Sequence, residues 1–392
     1  MKVACVGGGP ASLYFSILMK RVDPSHDITV YERNPAGSTY GWGVTYWEEL
    51  LGYLHDVDPD SARAISEASL RWDSWIVHVQ DRATVAIENG DEGFGVGRRR
   101  MLAALTDRAC SLGVRIEHDR EITGEHELTE FDLIVAGDGV NSVLRDRHAE
   151  HFGTEIAVGR NPYMWLGTTK VLDSFTFAFT ETSHGWTWCY GYPYSQSHST
   201  FIVECAPETW RGLGLDESSE ADALALMEKL FAEVLDGHEL IGRTQSDGSA
   251  HWLNFRTITN RTWYRDNVVL VGDAAHTTHY SIGAGTALAL GDAAFLVTAL
   301  HGDVPLETAL ARYERARKSA IRVSQKAARR SAQWYENLPR YIDLPPRYFE
   351  SVLNQRHSAL LAHIPPRLYH RLGQTIEQFW MLVSRVTRFG RG

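Results

Sequence analysis

Residues 268–292, VVLVGDAAHTTHYSIGAGTALALGD, constrain this chain more than any other stretch. An apolar strand runs into Gly272-Asp273; a glycine-rich turn follows, then a helix of small residues. The chain opens on a related pattern, MKVACVGGGPAS: strand Val3 to Val6, a glycine turn, and a helix from Pro10 to Lys20, with strand Ile28 to Tyr31 behind it. Short connections of this kind make a βαβ unit, whose helix packs back onto parallel strands. A parallel sheet must therefore gather strands from both ends of the sequence.

The first turn, Gly7-Gly8-Gly9-Pro10-Ala11-Ser12, fits the pattern G-x-G-x-x-(G/A/S). Gly7 suits the tight turn, and Gly9 lets backbone approach a pyrophosphate at the helix N-terminus, where free N–H groups point outward. Pro10 and Ala11 open the helix, and Ser12 takes the position that sets close helix–strand packing. Glu32, with Arg33 beside it, ends the second strand, where a carboxylate accepts both hydroxyls of an adenosine ribose and repels a 2′-phosphate. In the second motif Asp273 can hold a ribityl hydroxyl, or act only as a helix cap. The Gly283-Ala284-Gly285-Thr286 turn aims a helix N-terminus at a flavin pyrimidine and phosphate. Arg98 opens a helix after the turn Gly93 to Gly97, where a guanidinium pairs with a pyrophosphate or ribityl chain. Both motifs in one chain point to bound FAD.

The net charge of −10 argues against nucleic-acid or anionic-membrane binding, so an anionic ligand must be held by local patches. The four cysteines form no CxxC and no metal-ligand spacing, which predicts buried, reduced thiols, no metal and a cytoplasmic protein. The first strand starts too early for a signal peptide, and no apolar run is long enough to span a membrane.

Residues 47–78 read as helical, with Leu50, Leu51 and Leu54 at helix spacing, and Phe131 to Ala136 as a buried strand. Residues 163–205 alternate with period two, placing Phe175, Phe177 and Phe179 on one face and Trp186, Trp188, Tyr190, Tyr192 and Tyr194 on one face, an antiparallel sheet. An acidic amphipathic helix is expected over 216–235, a basic helix over 306–337, and short helices over 339–392. The expected domains are an FAD-binding domain (1–160 and 250–330, discontinuous), a substrate domain (161–249) and a C-terminal helical region (331–392). The segment 312–330 carries Arg312, Arg315, Arg317, Lys318, Arg322, Lys326, Arg329 and Arg330 against one acid, Glu314. It reads as a solvated helix face or as a positive stripe for CoA phosphates or NAD(P)H.

With Asp138-Gly139, Ser142 and Arg145 in LIVAGDGVNSVLR, these motifs resemble the class A flavoprotein monooxygenases, the para-hydroxybenzoate hydroxylase-like family, over roughly residues 1–330. That resemblance implies an α/β fold, with a Rossmann-like FAD-binding domain, an inserted antiparallel β-sheet substrate domain and a C-terminal helical region. It also places Asp138 and Arg145 near the FAD pyrophosphate. GWGV at 41–44, WDSWIVHV at 72–79, GRNPYMWLGTTKV at 159–171, STFIVEC at 199–205 and HYSIGAGT at 279–286 look like the hydroxylase part of salicylyl-CoA 5-hydroxylases and 2-aminobenzoyl-CoA monooxygenases. They are similar, less closely, to the indole-hydroxylating enzymes of violacein biosynthesis. His279-Tyr280 stands where many class A enzymes have two prolines, and this fits the CoA-ester subgroup. The bifunctional relatives carry a second, old-yellow-enzyme-like domain, for which this chain is expected to be too short.

The resemblance implies a hydroxylase that consumes NADH or NADPH and O2 through a flavin C4a-hydroperoxide, acting on an aromatic substrate held as a CoA thioester. An OH or NH2 ortho to the thioester activates the ring position para to that donor. Hydroxylation of an indolic or free aromatic, or an FAD reductase without oxygen chemistry, are the competing readings. Trp42, Gly43 and Val44 are expected beside the flavin ring. Trp165, Trp186, Trp188 and Tyr190 either wall the substrate pocket or pack the sheet. His279 and Tyr280 are the catalytic candidates, His279 by hydrogen-bonding the ring donor or assisting its deprotonation, while His276 holds the loop. A monomer or homodimer is expected.

Overall fold

A computed structural model describes residues 1–39, 41–80, 82–243 and 249–369. The first half runs β1 (Lys2–Val6), α1 (Pro10–Val22), β2 (Asp27–Tyr31), β3 (Gly43–Trp47), α2 (Glu48–Val57), α3 (Pro59–Glu67), β4 (Ser69–Val79), β5 (Arg82–Gly97), α4 (Arg98–Ser111), β6 (Arg115–Glu117), β7 (Leu133–Ala136), α5 (Val143–Arg147) and α6 (Ala149–Phe152). Next come β8 (Glu155–Thr168), β9 (Phe175–Thr182), β10 (Gly185–Ser195), β11 (His198–Cys205), α7 (Pro207–Gly212), α8 (Glu220–Leu230), α9 (Ala232–Leu235), β12 (Leu240–Ile241) and β13 (Leu253–Thr259). The chain returns through β14 (Tyr264–Arg265), β15 (Val268–Leu270), α10 (Gly285–Leu300), α11 (Leu306–Glu336) and α12 (Pro346–Asn354).

The first sheet has the order β14-β15-β7-β1-β2-β6, parallel except at the β14 edge. Its central strands are continuous apolar runs because helices cover them, and Val3, Ala4, Cys5 and Leu133 to Ala136 are all buried. Pro10 at the first helical position and Lys20 and Arg21 in the last turn set the ends of α1, which lies against α10.

The second sheet has the order β12-β8-β11-β10-β9-β4-β5-β3, with β13 also paired to β8. Every pair is antiparallel except β4 with β9, so the sheet is mixed rather than purely antiparallel. It draws strands from 43–97 and 253–259 as well, beyond the 161–249 segment read from the sequence. One face, with Met164, Leu166, Phe201 and Val203, packs on Ala223 and Met227 of α8. The other carries Phe177, Phe179, Trp188 and Tyr190 and is closed by Trp334, Tyr335, Phe349 and Leu353 from α11 and α12.

Three expectations change. Residues 69–78 form a strand, not helix, because Trp75 to Val79 pair with Phe175 to Phe179. The acidic helix over 216–235 is shorter and broken at Phe231 into α8 and α9. Cys110 is exposed, whereas the other three cysteines are buried. Of the expected C-terminal helical region, residues 370–392 lie outside the described residues. Among the described residues no helix is long and apolar enough to cross a membrane.

Candidate active site

The loops leaving β1, β7 and β15 meet at the C-terminal edge of the first sheet, where open α/β sheets bind ligands. Gly7 has φ +93°, and a Cβ there would lie 2.5 Å from the Gly137 carbonyl oxygen, so only glycine fits. Ser12 is fully buried directly beneath Gly137, and Ala11 packs against Gly272. Their side chains pack the helix start against the strand loops, as expected of the Ser12 position. Gly283 has φ +61°, and a Cβ there would meet the Thr45 hydroxyl at 2.5 Å, which brings the second glycine turn against β3 and hence against Gly43 and Val44.

Asp292 organises the Gly272-Asp273 bend from beneath. It accepts from Gly272 N (2.8 Å), His276 Nε2 (2.9 Å) and Arg317 Nε (2.5 Å), and is fully buried. Burial raises its pKa, but His276 and Arg317 together hold it below the usual carboxylate range. His276 is thus the loop anchor expected of it. Arg145 is also fully buried and donates to the carbonyls of Val140 (2.9 Å) and Ala274 (3.4 Å). It ties two loops together and also pairs with Asp146 (2.7 Å).

These residues fit FAD on several counts. Neither α1, which starts after Gly9, nor α10, which starts at Gly285 and Thr286, has a side-chain cap, so both helix N-termini keep free N–H groups for anionic oxygen. Asp138 accepts from Val143 N (2.8 Å) through one oxygen, while its other oxygen and the Nε of Arg98 are buried without a partner. Asp273 is exposed at the bend between the two motifs; the protein packed around it raises its pKa against the pull of Arg98 and His276. Glu32 accepts from Gly8 N (2.7 Å) and Asn34 N (2.8 Å), so it also holds the first turn. Arg33 is exposed.

The second sheet meets this cradle at Trp42 to Val44. Trp42 Nε1 donates to the Trp165 carbonyl (3.2 Å), Gly43 N to Thr200 Oγ1 (2.9 Å), Tyr192 OH to the Gly43 carbonyl (2.9 Å), and Arg98 N to the Trp42 carbonyl (2.9 Å). Of the four wall candidates, Trp165 adjoins this junction and Tyr190 lies 5.9 Å, ring to ring, from Tyr280. Trp188 stacks on Tyr335 (5.8 Å) inside the core, and Trp186 is partly buried in the same cluster.

His279 and Tyr280 differ in chemistry. His279 Nδ1 lies 2.8 Å from Ser281 Oγ and 3.4 Å from Ser281 N, so the network assigns Nδ1 as acceptor and the proton to Nε2. Burial, then the charge of Arg356, push its pKa down to about 3, so it is neutral. Arg356 in turn donates to the Ser281 carbonyl (2.8 Å) and holds this turn. Tyr280 OH donates to Glu204 Oε2 (2.7 Å), and Asn161 Nδ2 donates to Oε1 (2.8 Å). Both partners of Glu204 are neutral, and burial pushes its carboxyl up to about 7. Glu204 and Arg356 were not anticipated. The available signal for Glu204 was an acid at an inward position of STFIVEC, across from Trp188. A pocket of about 180 Å³ between β8, β13 and α11 has Asn161, Glu204, Phe255 and His279 on its wall and also reaches Arg329 and Glu336.

Residues 45–331 match the FAD binding domain family. The chain is 36% identical over 353 residues to a salicyloyl-CoA 5-hydroxylase of Streptomyces sp, covering 87% of this chain and 66% of that relative. It is 37% identical over 339 residues to the 3-hydroxy-4-methyl-anthranilyl-[aryl-carrier protein] 5-monooxygenase of Streptosporangium sibiricum, covering 86% and 90%. Protodeoxyviolaceinate monooxygenase of Chromobacterium violaceum is 30% identical over 369 residues, covering 92% and 95%. Among solved structures, the tetrameric form of 2-methyl-3-hydroxypyridine-5-carboxylic acid oxygenase shares the fold with a TM-score of 0.69 at 19% identity, over 94% of this chain and 95% of the other.

Proposed function

The chain belongs to the FAD-binding-domain family of flavin-dependent aromatic monooxygenases, and on that premise we propose that it hydroxylates the ring of an aryl thioester. Two of the relatives are named for aryl groups carried on CoA or on an aryl-carrier protein, and both carriers hold their cargo as a phosphopantetheine thioester. Gly7, Arg98, Asp138, Asp273 and the N-terminus of α10 would hold FAD, which, with NADH or NADPH as reductant and O2, would supply the electrophilic oxygen. Trp165 and Tyr190 present aromatic surface that excludes water around the reacting ring.

The observation that carries the reading is the single loop from Gly272 to Thr286, which joins the FAD cradle to Tyr280 and its buried partner Glu204. A ring OH or NH2 activates the position para to it, more strongly as its proton is drawn away. Tyr280 Oη takes that proton while passing its own to Glu204 Oε2, which accepts it readily near neutral pH. Neutral His279 donates through Nε2 and orients the substrate.

The test is NADH and NADPH oxidation by the flavinylated protein, with salicyl and 2-aminobenzoyl thioesters set beside the free acids and an indole. Thioesters should accelerate oxidation and yield ring-hydroxylated product. Acceleration by the free acids or the indole and by no thioester refutes the proposed substrate.

A further inference from the structure

On the reading that the substrate is a thioester, we propose that the outer face of α11 docks an acidic carrier protein that delivers it. The buried face of this helix includes Ala309, Tyr313, Ile321, Ala328 and Trp334. On the opposite side Arg312, Arg315, Arg322, Lys326 and Arg329 are all exposed, at spacings of three, seven, four and three residues, which puts them in one row.

The eight basic residues of this segment are therefore not one set. Arg317 turns inward to Asp292, and Lys318 pairs with Glu314. Glu314, the acid in this stretch, is itself turned inward, accepting from Thr262 Oγ1 (2.7 Å) and Trp263 N (2.9 Å). Among the described residues no carboxylate pairs with any of the five outer cations. Elsewhere exposed cations do find partners, as Arg115 finds Asp27 and Arg160 finds Glu208.

A solvated helix face ordinarily mixes signs, because like charges three or four residues apart destabilise a helix by about 0.2–0.5 kcal/mol per pair. A uniformly positive row on a chain of net charge −10 points to an anionic partner. The row runs about 25 Å at the helical rise, a span suited to the face of a small folded domain. Val323, 76% exposed, sits at its edge beside Arg322 and Lys326. An exposed apolar side chain bordering a row of cations suits a protein surface better than a free phosphate. The row ends at Arg329, on the pocket that also holds Glu204 and His279, so a docked carrier stands next to the candidate active site.

The experiment compares kcat/KM for one aryl group carried three ways: on the phosphopantetheine of an acidic aryl-carrier domain, on CoA, and on N-acetylcysteamine. The combined variant Arg315→Glu, Arg322→Glu, Lys326→Glu should lose about fiftyfold on the carrier-bound substrate and less than about twofold on N-acetylcysteamine, with wild-type carrier turnover falling steeply with salt. Val323→Ser, which alters no charge, should lose about fivefold on the carrier alone and decides the matter if the triple variant misfolds. An equal loss on CoA would make the row a phosphate subsite. A changed oligomeric state in the triple variant would make it a self-association surface, and no preference for the carrier would leave it a solvated face; each overturns the proposal while sparing the thioester reading. Turnover of free acids and of no thioester brings both down.

Discussion

Two buried carboxylates, Asp292 under the FAD cradle and Glu204 in the aromatic sheet, show how partners decide what a buried acid is for. Asp292 has the Arg317 guanidinium and a hydrogen bond with His276, and stays below the usual carboxylate range despite complete burial. Glu204 is as deeply buried, but its hydrogen-bond partners Asn161 and Tyr280 are neutral, so burial lifts its carboxyl to about 7. A charge matched by countercharge is a fixed joint. One matched only by neutral donors can change its protonation where the cell works.

The largest test of this contrast is Asp292→Ala, which strands Arg317 and His276 in a closed site. It should lower stability by about 3–5 kcal/mol in urea unfolding and release flavin. A loss under about 1 kcal/mol would show that the pair does not hold the bend. Glu204→Gln comes next, and its effect depends on pH. The folded protein binds the Glu204 proton more tightly than the unfolded chain, so stability from this group is fully present below about pH 4.5 and is lost as pH rises through about 7. Wild type should lose about 3 kcal/mol across that window on this account, and the glutamine variant should be flat there. The variant should also lose the kcat limb near neutrality. Asp273→Ala should weaken FAD binding by about 1.5–3 kcal/mol, read by flavin titration, with the fold intact because Asp292 still holds the turn. A fully flavinylated, active variant contradicts the cradle assignment. Smallest in stability is Tyr280→Phe, about 1 kcal/mol, but it should lower kcat and abolish the limb near neutrality, since the hydroxyl that links the substrate donor to Glu204 is gone. A limb that stays in place uncouples Tyr280 from Glu204.

What was legible in the sequence was local. The glycine turns at 7–12 and 283–286, the Gly-Asp bend and the strand before each declare themselves within a dozen residues, because backbone geometry there admits few side chains. The strand at 69–79 was misread because Trp72, Trp75, Ile76 and Val79 imitate helical spacing. Register shifts after Trp72 and Val77 break the period-two signature that would have exposed it. Glu204 had no local signal of partnership, since its donors stand 43 and 76 residues away along the chain. Arg356 was hidden for the same reason, meeting Ser281 across 75 residues.

The parallel pairing of β4 with β9 has a cost during synthesis. β4 leaves the ribosome about 100 residues ahead of its neighbour, a wait of roughly 5–20 s at ordinary elongation rates. Throughout that interval a hairpin bearing Trp72, Trp75 and Val77 has an unpaired edge and no cover. Newborn chains should thus call on chaperones before β9 arrives, and slowing translation should lower the yield of native protein.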